Sequence, residues 1–505
     1  MKGINTPGQA LDERGFASLP PQRARYFTLR SLHSLGRATS KLIPFPSLRL
    51  EMKGIVSILV VLLLASLPLS AFDGFTDIFG PTDEVAVTGT SQETPFDPSL
   101  GINGSVGFSI EGMRALDNTR EIETAIGGGL EIDLAWKGSI VDAQAKLALK
   151  PTIDTPLQWI DIFKGLSITS YFNGGRLEAG LLKKEWGAGD GVHVVDVLNA
   201  PDYRNGIVDD SLAMKVAEPM VLTTANWNNT ALEVVYKPLL VPMLVAEDPA
   251  HRWSMLTEGQ ATLFSTATVN QTTSAELSRF ANGQYGGRLV GTFGPADLGL
   301  IYYNGFYTMP AYDVRAYYSS GGAIDIGFTR AQLFATEATV VTGVFTFMFE
   351  GGFWLSEDAS ATEPETYNSK WVYLGAVGIR IPGTGAYASI TCHGQYILGF
   401  DETNPIDVDT MQANQSSDGK AYMNTLTAAV DIPLARERVT VRLAGTYQIE
   451  TKGYALLPSV MYSISDDLVL KVAGRLFGAV GDAPDSLFKT WAANDSLAVG
   501  ITYLF

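Results

Sequence analysis

The chain is poor in the residues that build catalytic and metal centres: its 505 residues include one cysteine and four histidines. Cys392 has no second thiol, so an exported fold must stand without an internal disulfide. With His393 beside it in "TCHG" it completes no zinc ligand set, and no H-E-x-x-H is present. His193 and His251 could serve a Ser/His/Asp arrangement, but no G-x-S-x-G accompanies them. The glycine-rich "AIGGGLEID" (125–133) leads into an alternating strand rather than a helix, which removes the phosphate-cradling reading. No enzyme, cofactor or metal is therefore expected. The acidic "DETNPIDVDT" offers Asp401, Glu402, Asp407 and Asp409 as oxygen ligands, yet the spacing is not that of an EF-hand and a solvated loop is the simpler reading. Basic residues are also scarce, 36 against 53 acidic ones, a net charge of −17 that argues against nucleic acid as a partner.

Long apolar runs are missing after residue 72, so no further membrane-spanning helix is expected. The one such run lies in "MKGIVSILVVLLLASLPLSAFDG": a positive start at Lys53, an apolar stretch from Ile55 to Leu67, then small residues, the layout of a signal peptide. The organisation expected is an unstructured upstream extension (1–51), a signal peptide (52–71), a periplasmic N-terminal segment (72–100) and a barrel (101–505).

What the chain has in quantity is 51 glycines, 20 tyrosines and 24 phenylalanines, set in segments that alternate with period 2. In "LEIDLAWK", Leu130, Ile132, Leu134 and Trp136 fall on one face and Glu131, Asp133 and Lys137 on the other. "VTVRLAGTYQIE" puts Arg442 on its polar face, and "LVLKVAGRLF" puts Lys471 and Arg475 there. Each segment is about 10 residues long, the length of a tilted strand crossing a bilayer. Further candidates lie near 101–114, 139–150, 165–172, 174–184, 230–238, 284–293, 296–305, 323–334, 338–350, 371–380, 385–398, 421–431 and 454–463. Only helices or edge-free barrels can span hydrocarbon. The expected fold is thus an all-β, transmembrane antiparallel barrel of roughly 14 to 18 strands with long external loops at 356–370 and 401–420. Tyr302/Tyr303, Phe306/Tyr307 and Tyr317/Tyr318 suit its interfacial girdles. The terminal "SLAVGITYLF" ends an amphipathic strand in Tyr503 and Phe505, which resembles the insertion signal of outer-membrane barrels.

The stretch from Gly180 to Arg204 carries the pattern G-x-x-x-x-x-WG-x-GDG-x-x-x-x-D-x-x-N-x-x-D-x-R. It resembles the DUF1302-like family of bacterial outer-membrane porin-type barrels, as does "QYGGRLVGTFGPADLGLIYYNGFYTMP" (284–310), although Ala200-Pro201-Asp202 stands where that family has Asn-Pro-x-Asp. The resemblance implies a channel or transporter whose loop follows a strand, here one expected to run from Arg176 to Trp186. From the residues themselves, Gly187, Gly189 and Gly191 allow a sharp change of direction. Asp190, Asp196, Asp202 and Arg204 can pair with one another and with Lys183, Lys184 or Glu185. Folded inward, that loop narrows the pore, and its charges set selectivity; held outside, it is a capped external loop. These residues with Trp186 are the constriction candidates, and Glu131, Asp133, Lys137, Arg442, Lys471 and Arg475 the lumen candidates. A second segment, 251–283, with Trp253, Met255, Leu256, Leu263 and Phe264, suggests a short amphipathic helix across the barrel mouth.

The reading is an outer-membrane porin or passive transporter of small solutes, reached by secretion to the periplasm of a double-membraned bacterium. Its expected partners are outer-membrane lipid, the barrel-assembly machinery and a small-molecule solute, with the oligomeric state open. An importer of lipid-like molecules and a surface adhesin or structural barrel are the alternatives.

Overall fold

The structure, a computed structural model, describes residues 99–505 apart from 115–120, 151–158, 209, 247, 249, 257, 272–279, 402, 404–420 and 482–485. The expected leader and most of the acidic 401–420 loop lie outside the described residues. In chain order the strands are β1 (Ser99–Arg114), β2 (Ile122–Lys137), β3 (Val141–Leu149), β4 (Phe163–Phe172), β5 (Gly175–Leu182), β6 (Glu218–Trp227), β7 (Thr230–Lys237), β8 (Thr268–Gln271), β9 (Gln284–Phe293) and β10 (Ala296–Phe306). They continue as β11 (Ala311–Asp313), β12 (Ala323–Gly327), β13 (Arg330–Thr342), β14 (Phe345–Ser356), β15 (Lys370–Arg380), β16 (Tyr387–Ile397), β17 (Tyr422–Leu434), β18 (Val439–Gln448), β19 (Gly453–Ser463), β20 (Leu468–Ala479) and β21 (Ser496–Leu504).

Eighteen of these strands form one antiparallel sheet in which each pairs with its barrel neighbours in the chain, and β21 closes it on β1 through Val106↔Tyr503, Phe108↔Ile501 and Ile110↔Val499. Closure removes both sheet edges, so the backbone hydrogen bonds are satisfied within the wall. The remaining three, β8, β11 and β12, make a small separate sheet among the loops. Tight turns occupy one end, at 173–174, 228–229, 294–295 and 343–344, where Gly174, Asn228, Gly294 and Gly343 take positive φ. The other end carries the long connections 183–217, 238–283, 307–329 and 398–421. Strand β1 begins and β21 finishes at the tight-turn end, where the Phe505 backbone exchanges hydrogen bonds of 2.7 and 2.9 Å with Gly104. Gly104 has no side chain to obstruct the Phe505 ring, which covers the place a Cβ would occupy.

Alternation decides which face meets lipid. Val106, Phe108, Ile110, Leu497, Val499, Ile501 and Tyr503 are all exposed on one side of the β21–β1 seam. Trp136, Leu443, Leu456 and Leu476 are exposed likewise, an apolar outer band of the kind hydrocarbon requires. The opposite face of the same strands carries Glu131, Asp133, Lys137, Arg442, Lys471 and Arg475.

Several strand limits differ from expectation. Strand β2 starts at Ile122, well before Leu130. Strand β5 stops at Leu182, four residues short of Trp186. Strand β6 was not anticipated at all, because its inward residues Met220 and Leu222 are as apolar as its outward ones. The expected strand 323–334 takes in β12 of the small sheet and only the start of β13, and the expected strand 338–350 straddles the β13–β14 turn at Gly343, since β14 runs on through "GGFWLS". The aromatic girdle reading also fails in part. Tyr303 and Tyr307 are buried inside, and Tyr317 and Tyr318 sit on a helix, Arg315–Ser320, in the 307–329 loop.

Candidate functional site: a loop across the lumen

The 183–217 connection folds into the barrel, and its apolar residues explain why. Val195, Val197 and Leu198 are buried against inward side chains of the wall, among them Leu182, Met220, Leu222, Val235 and Leu333. This half of the lumen, from β5 round to β15, is therefore a packed core, with Trp186 only 1% exposed and its indole N–H donating to Glu233 Oε2 at 2.7 Å. Burying such side chains contributes about 1.5–3 kcal/mol each, enough to hold a loop against its lost entropy.

Polar anchors fix the loop at three places. On β14, the Glu350 carboxylate accepts from the backbone N–H groups of Gly189 (2.7 Å), Val194 (2.7 Å) and Val195 (3.2 Å), and His193 Nδ1 lies 3.0 Å from its Oε1. On β20, Arg475 donates to the Asn205 carbonyl at 3.2 Å while holding Glu111 of β1 at 2.5 Å. In the β3–β4 connection, Asp161 accepts from Arg204 at 2.7 Å. Counting round the wall, β14 and β20 each lie six strands from β5, in opposite directions. The loop thus reaches points a third of the circumference away on both sides.

The charges of the loop are mostly spoken for. Asp202 grips Arg204 through Nε at 2.9 Å and Nη2 at 2.7 Å, and with Asp161 it holds the guanidinium firmly protonated. Asp196 accepts from the Trp186 and Leu198 backbone N–H groups and pairs with Lys215, which also lies 2.9 Å from Glu185. Burial pushes the Glu185 carboxyl up, but Lys215 and Ser211 outweigh it and leave it below the usual range. Lys184 pairs with Glu178 of β5 at 2.5 Å, and Asp190 is exposed near the Tyr387 hydroxyl. Among the described residues Lys183 has the Leu212 carbonyl, at 3.4 Å, as its partner. Of the pairings expected within the stretch, only Asp202 with Arg204 forms; the other partners come from Glu178, Lys215 and the wall. Trp186 and Asp196 are anchors buried in the packed half and do not line an opening.

Sequence reasoning also overlooked Glu350, Glu218 and Lys215. Glu350 was legible as the inward carboxylate of "FTFMFEGG", but nothing local says that a distant loop would cap it. Glu218 is fully buried with Lys237 at 2.7 Å and accepts the Ala200 N–H at 2.5 Å, pinning the end of the loop.

A second loop, 238–283, crosses beside the first. Trp253 packs edge-on against Phe477 of β20 and Trp491, and its ring lies where a Cβ on Gly206 would sit. Ser254 and Arg252 carbonyls accept from Trp491 Nε1 (2.9 Å) and Asn494 Nδ2 (2.7 Å). The expected short helix exists as Glu258–Thr266, with Phe264 against Tyr312. The apolar cluster round Trp253 is thus filled by the protein's own side chains. Elsewhere the inner face is wet and polar: Glu131 with Lys150 at 2.6 Å, Asp133 with Lys146 at 3.6 Å, and Arg442 with Asp431 at 2.8 Å, all at least partly exposed.

No protein-family model and no curated protein matches the chain. Solved structures similar to it include Acinetobacter baumannii OccAB3 (TM-score 0.45, 10% identity, covering 81% of this chain and 99% of that one). Others are a loop-deletion mutant of OmpT, an outer membrane protein of Vibrio cholerae (0.36, 9%, 81% and 99%), and a mutant Rh. blastica porin (0.35, 9%, 81% and 100%).

Proposed function

We propose that the protein is a porin-type channel of the bacterial outer membrane, passing small solutes down their gradients, with the loop after Trp186 as its constriction. Membership of the DUF1302-like family is part of the same proposal. The observation that carries it is the 183–217 loop, which occupies the lumen from β5 to β15 and is tied to Glu350, Asp161 and Arg475, beside a water-exposed, charge-lined inner face. A charged, partly blocked lumen selects solutes by size and by charge. The lipid-like importer is less favoured, because the apolar half of the lumen and the Trp253 cluster are filled by the chain itself.

The test is single-channel conductance of the refolded barrel in a planar bilayer. Stable steps are expected, with larger steps after Glu350→Gln releases the loop and altered ion preference after Asp190→Asn. A folded barrel that never conducts would overturn the channel reading.

A further inference from the structure

At the long-loop end of β3 to β5 the bases are answered one by one. Lys146 has Asp133, Lys150 has Glu131, Lys184 has Glu178, and Arg204 has Asp202 and Asp161. Two lysines at this corner are not. Among the described residues neither Lys164 nor Lys183 has a carboxylate within ion-pair distance, although both are half-buried.

The backbone brings these two to the same end of neighbouring strands. The β4–β5 ladder ends with Leu166 paired to Leu181, and Lys164 and Lys183 each lie two residues beyond that last pair. A β-bulge opposite Lys146 and Leu147 makes Lys164 the extra residue, since Gly165 pairs with Lys146 and Phe163 with Leu147. Bulges re-aim side chains, and the charges acting on Lys164 are those of the inward network: Asp161, Asp202, Lys150 and Arg204. Those acting on Lys183 are Lys164, Asp210, Asp202 and Lys150. Asp161 and Asp202 are already bonded to Arg204, and Asp210 is exposed on a turn. Neighbouring like charges repel, and partial burial adds to the cost: burial first, then the Lys164 charge, pulls the Lys183 ammonium below its ordinary range. A repulsive, half-buried pair with no carboxylate partner among the described residues is what an oxyanion would neutralise.

The geometry points to an oxyanion site, in which Lys164 and Lys183 together bind a phosphate-type group at the long-loop end of β4 and β5. The group is carried either by a solute in the lumen, which deepens the channel reading and rests on it, or by the phosphate of a surrounding lipid.

The experiment follows thermal unfolding of the full chain refolded in lipid-free detergent, titrated with inorganic phosphate at constant ionic strength against chloride. Protection by phosphate is expected for the wild type, with apparent affinity falling about tenfold in each of K164Q and K183Q and further in the double variant. K164R/K183R, which keeps both charges, should retain protection. A second arm reconstitutes the same proteins in vesicles with and without a phosphate-bearing anionic lipid. Protection by phosphate in detergent assigns the site to a free anion; lysine-dependent protection found only with the anionic lipid assigns it to a headgroup. Wild type and K183Q that respond alike in both arms overturn the site, and K183Q alone decides the matter if the double variant does not fold. Because the readout is not conductance, phosphate protection in a silent barrel would leave this site standing while the channel reading fell.

Discussion

His193 Nδ1 lies 3.0 Å from Glu350 Oε1, joining the middle of a loop to the inner wall of a strand 157 residues further along the chain. Burial pulls the imidazole down, but the Glu350 hydrogen bond and charge outweigh it, so His193 titrates above its ordinary value of 6.5. A base whose folded pKa is raised stabilises the fold fully below its unfolded pKa, and that contribution fades as pH rises through the folded value. The loop should therefore be held more firmly at pH 6 than at pH 9, with the loss beginning above about 6.5. Protease protection of residues 187–210 as a function of pH reads this directly. His193→Gln should flatten the profile across that window, and a profile unchanged by the substitution would show that the pair does not hold the loop.

Glu350→Gln tests the same anchor from the wall. The carboxylate accepts three backbone N–H groups besides the histidine, and an amide turns one of those acceptors into a donor facing a donor. Leaving a buried N–H unpaired costs about 1–3 kcal/mol. Hydrogen exchange at Gly189, Val194 and Val195 should accelerate while the β-sheet amides of β14 stay protected.

Lys237 and Glu218 are fully buried together inside the packed half of the lumen. Removing one partner strands the other charge, and about 3–5 kcal/mol of destabilisation is expected for Lys237→Met. The double variant Lys237→Met, Glu218→Gln should recover part of it in urea unfolding. Additive losses would mean that the two side chains act independently.

Cys392 is exposed on the lipid-facing side of β16, between the inward-facing residues Thr391 and His393. In vesicles it should react with a membrane-soluble maleimide and resist a charged one. Thr391→Cys in a Cys392→Ser background is buried within the wall and should be protected from the membrane-soluble reagent. Lys471→Cys should react with the charged reagent from the aqueous lumen. Labelling of Lys471→Cys by the membrane-soluble reagent alone would reverse the assignment of the two faces.

The outer and inner faces were legible in the sequence wherever the lumen is wet. Strands β2, β18 and β20 place Glu131, Asp133, Arg442, Lys471 and Arg475 inward because period-2 alternation is a property of each strand by itself. Where the lumen is dry the same rule loses its signal. Strand β6 has Met220 and Leu222 facing a packed loop, so neither of its faces reads as polar. The β13–β14 hairpin was misplaced for a related reason, since an inward Met348 and Trp354 continue the apolar pattern past the turn at Gly343.

The loop itself shows where sequence and structure divide. Its glycines, its carboxylates and its place directly after a strand are local, and they mark residues 180–204 as the place to look. Its partners are not local: Gly189 meets Glu350 across 161 positions of chain, and Asn205 meets Arg475 across 270. Which inward carboxylate or guanidinium a loop reaches depends on how many strands separate them round a closed wall. Alternation within a strand carries no record of that count. The sequence by itself determined that the strands have a lipid face and a lumen face. Only closure of eighteen strands decided that Glu350 and Arg475 stand a third of the circumference from β5 on either side, where one inward-folded loop could bridge them.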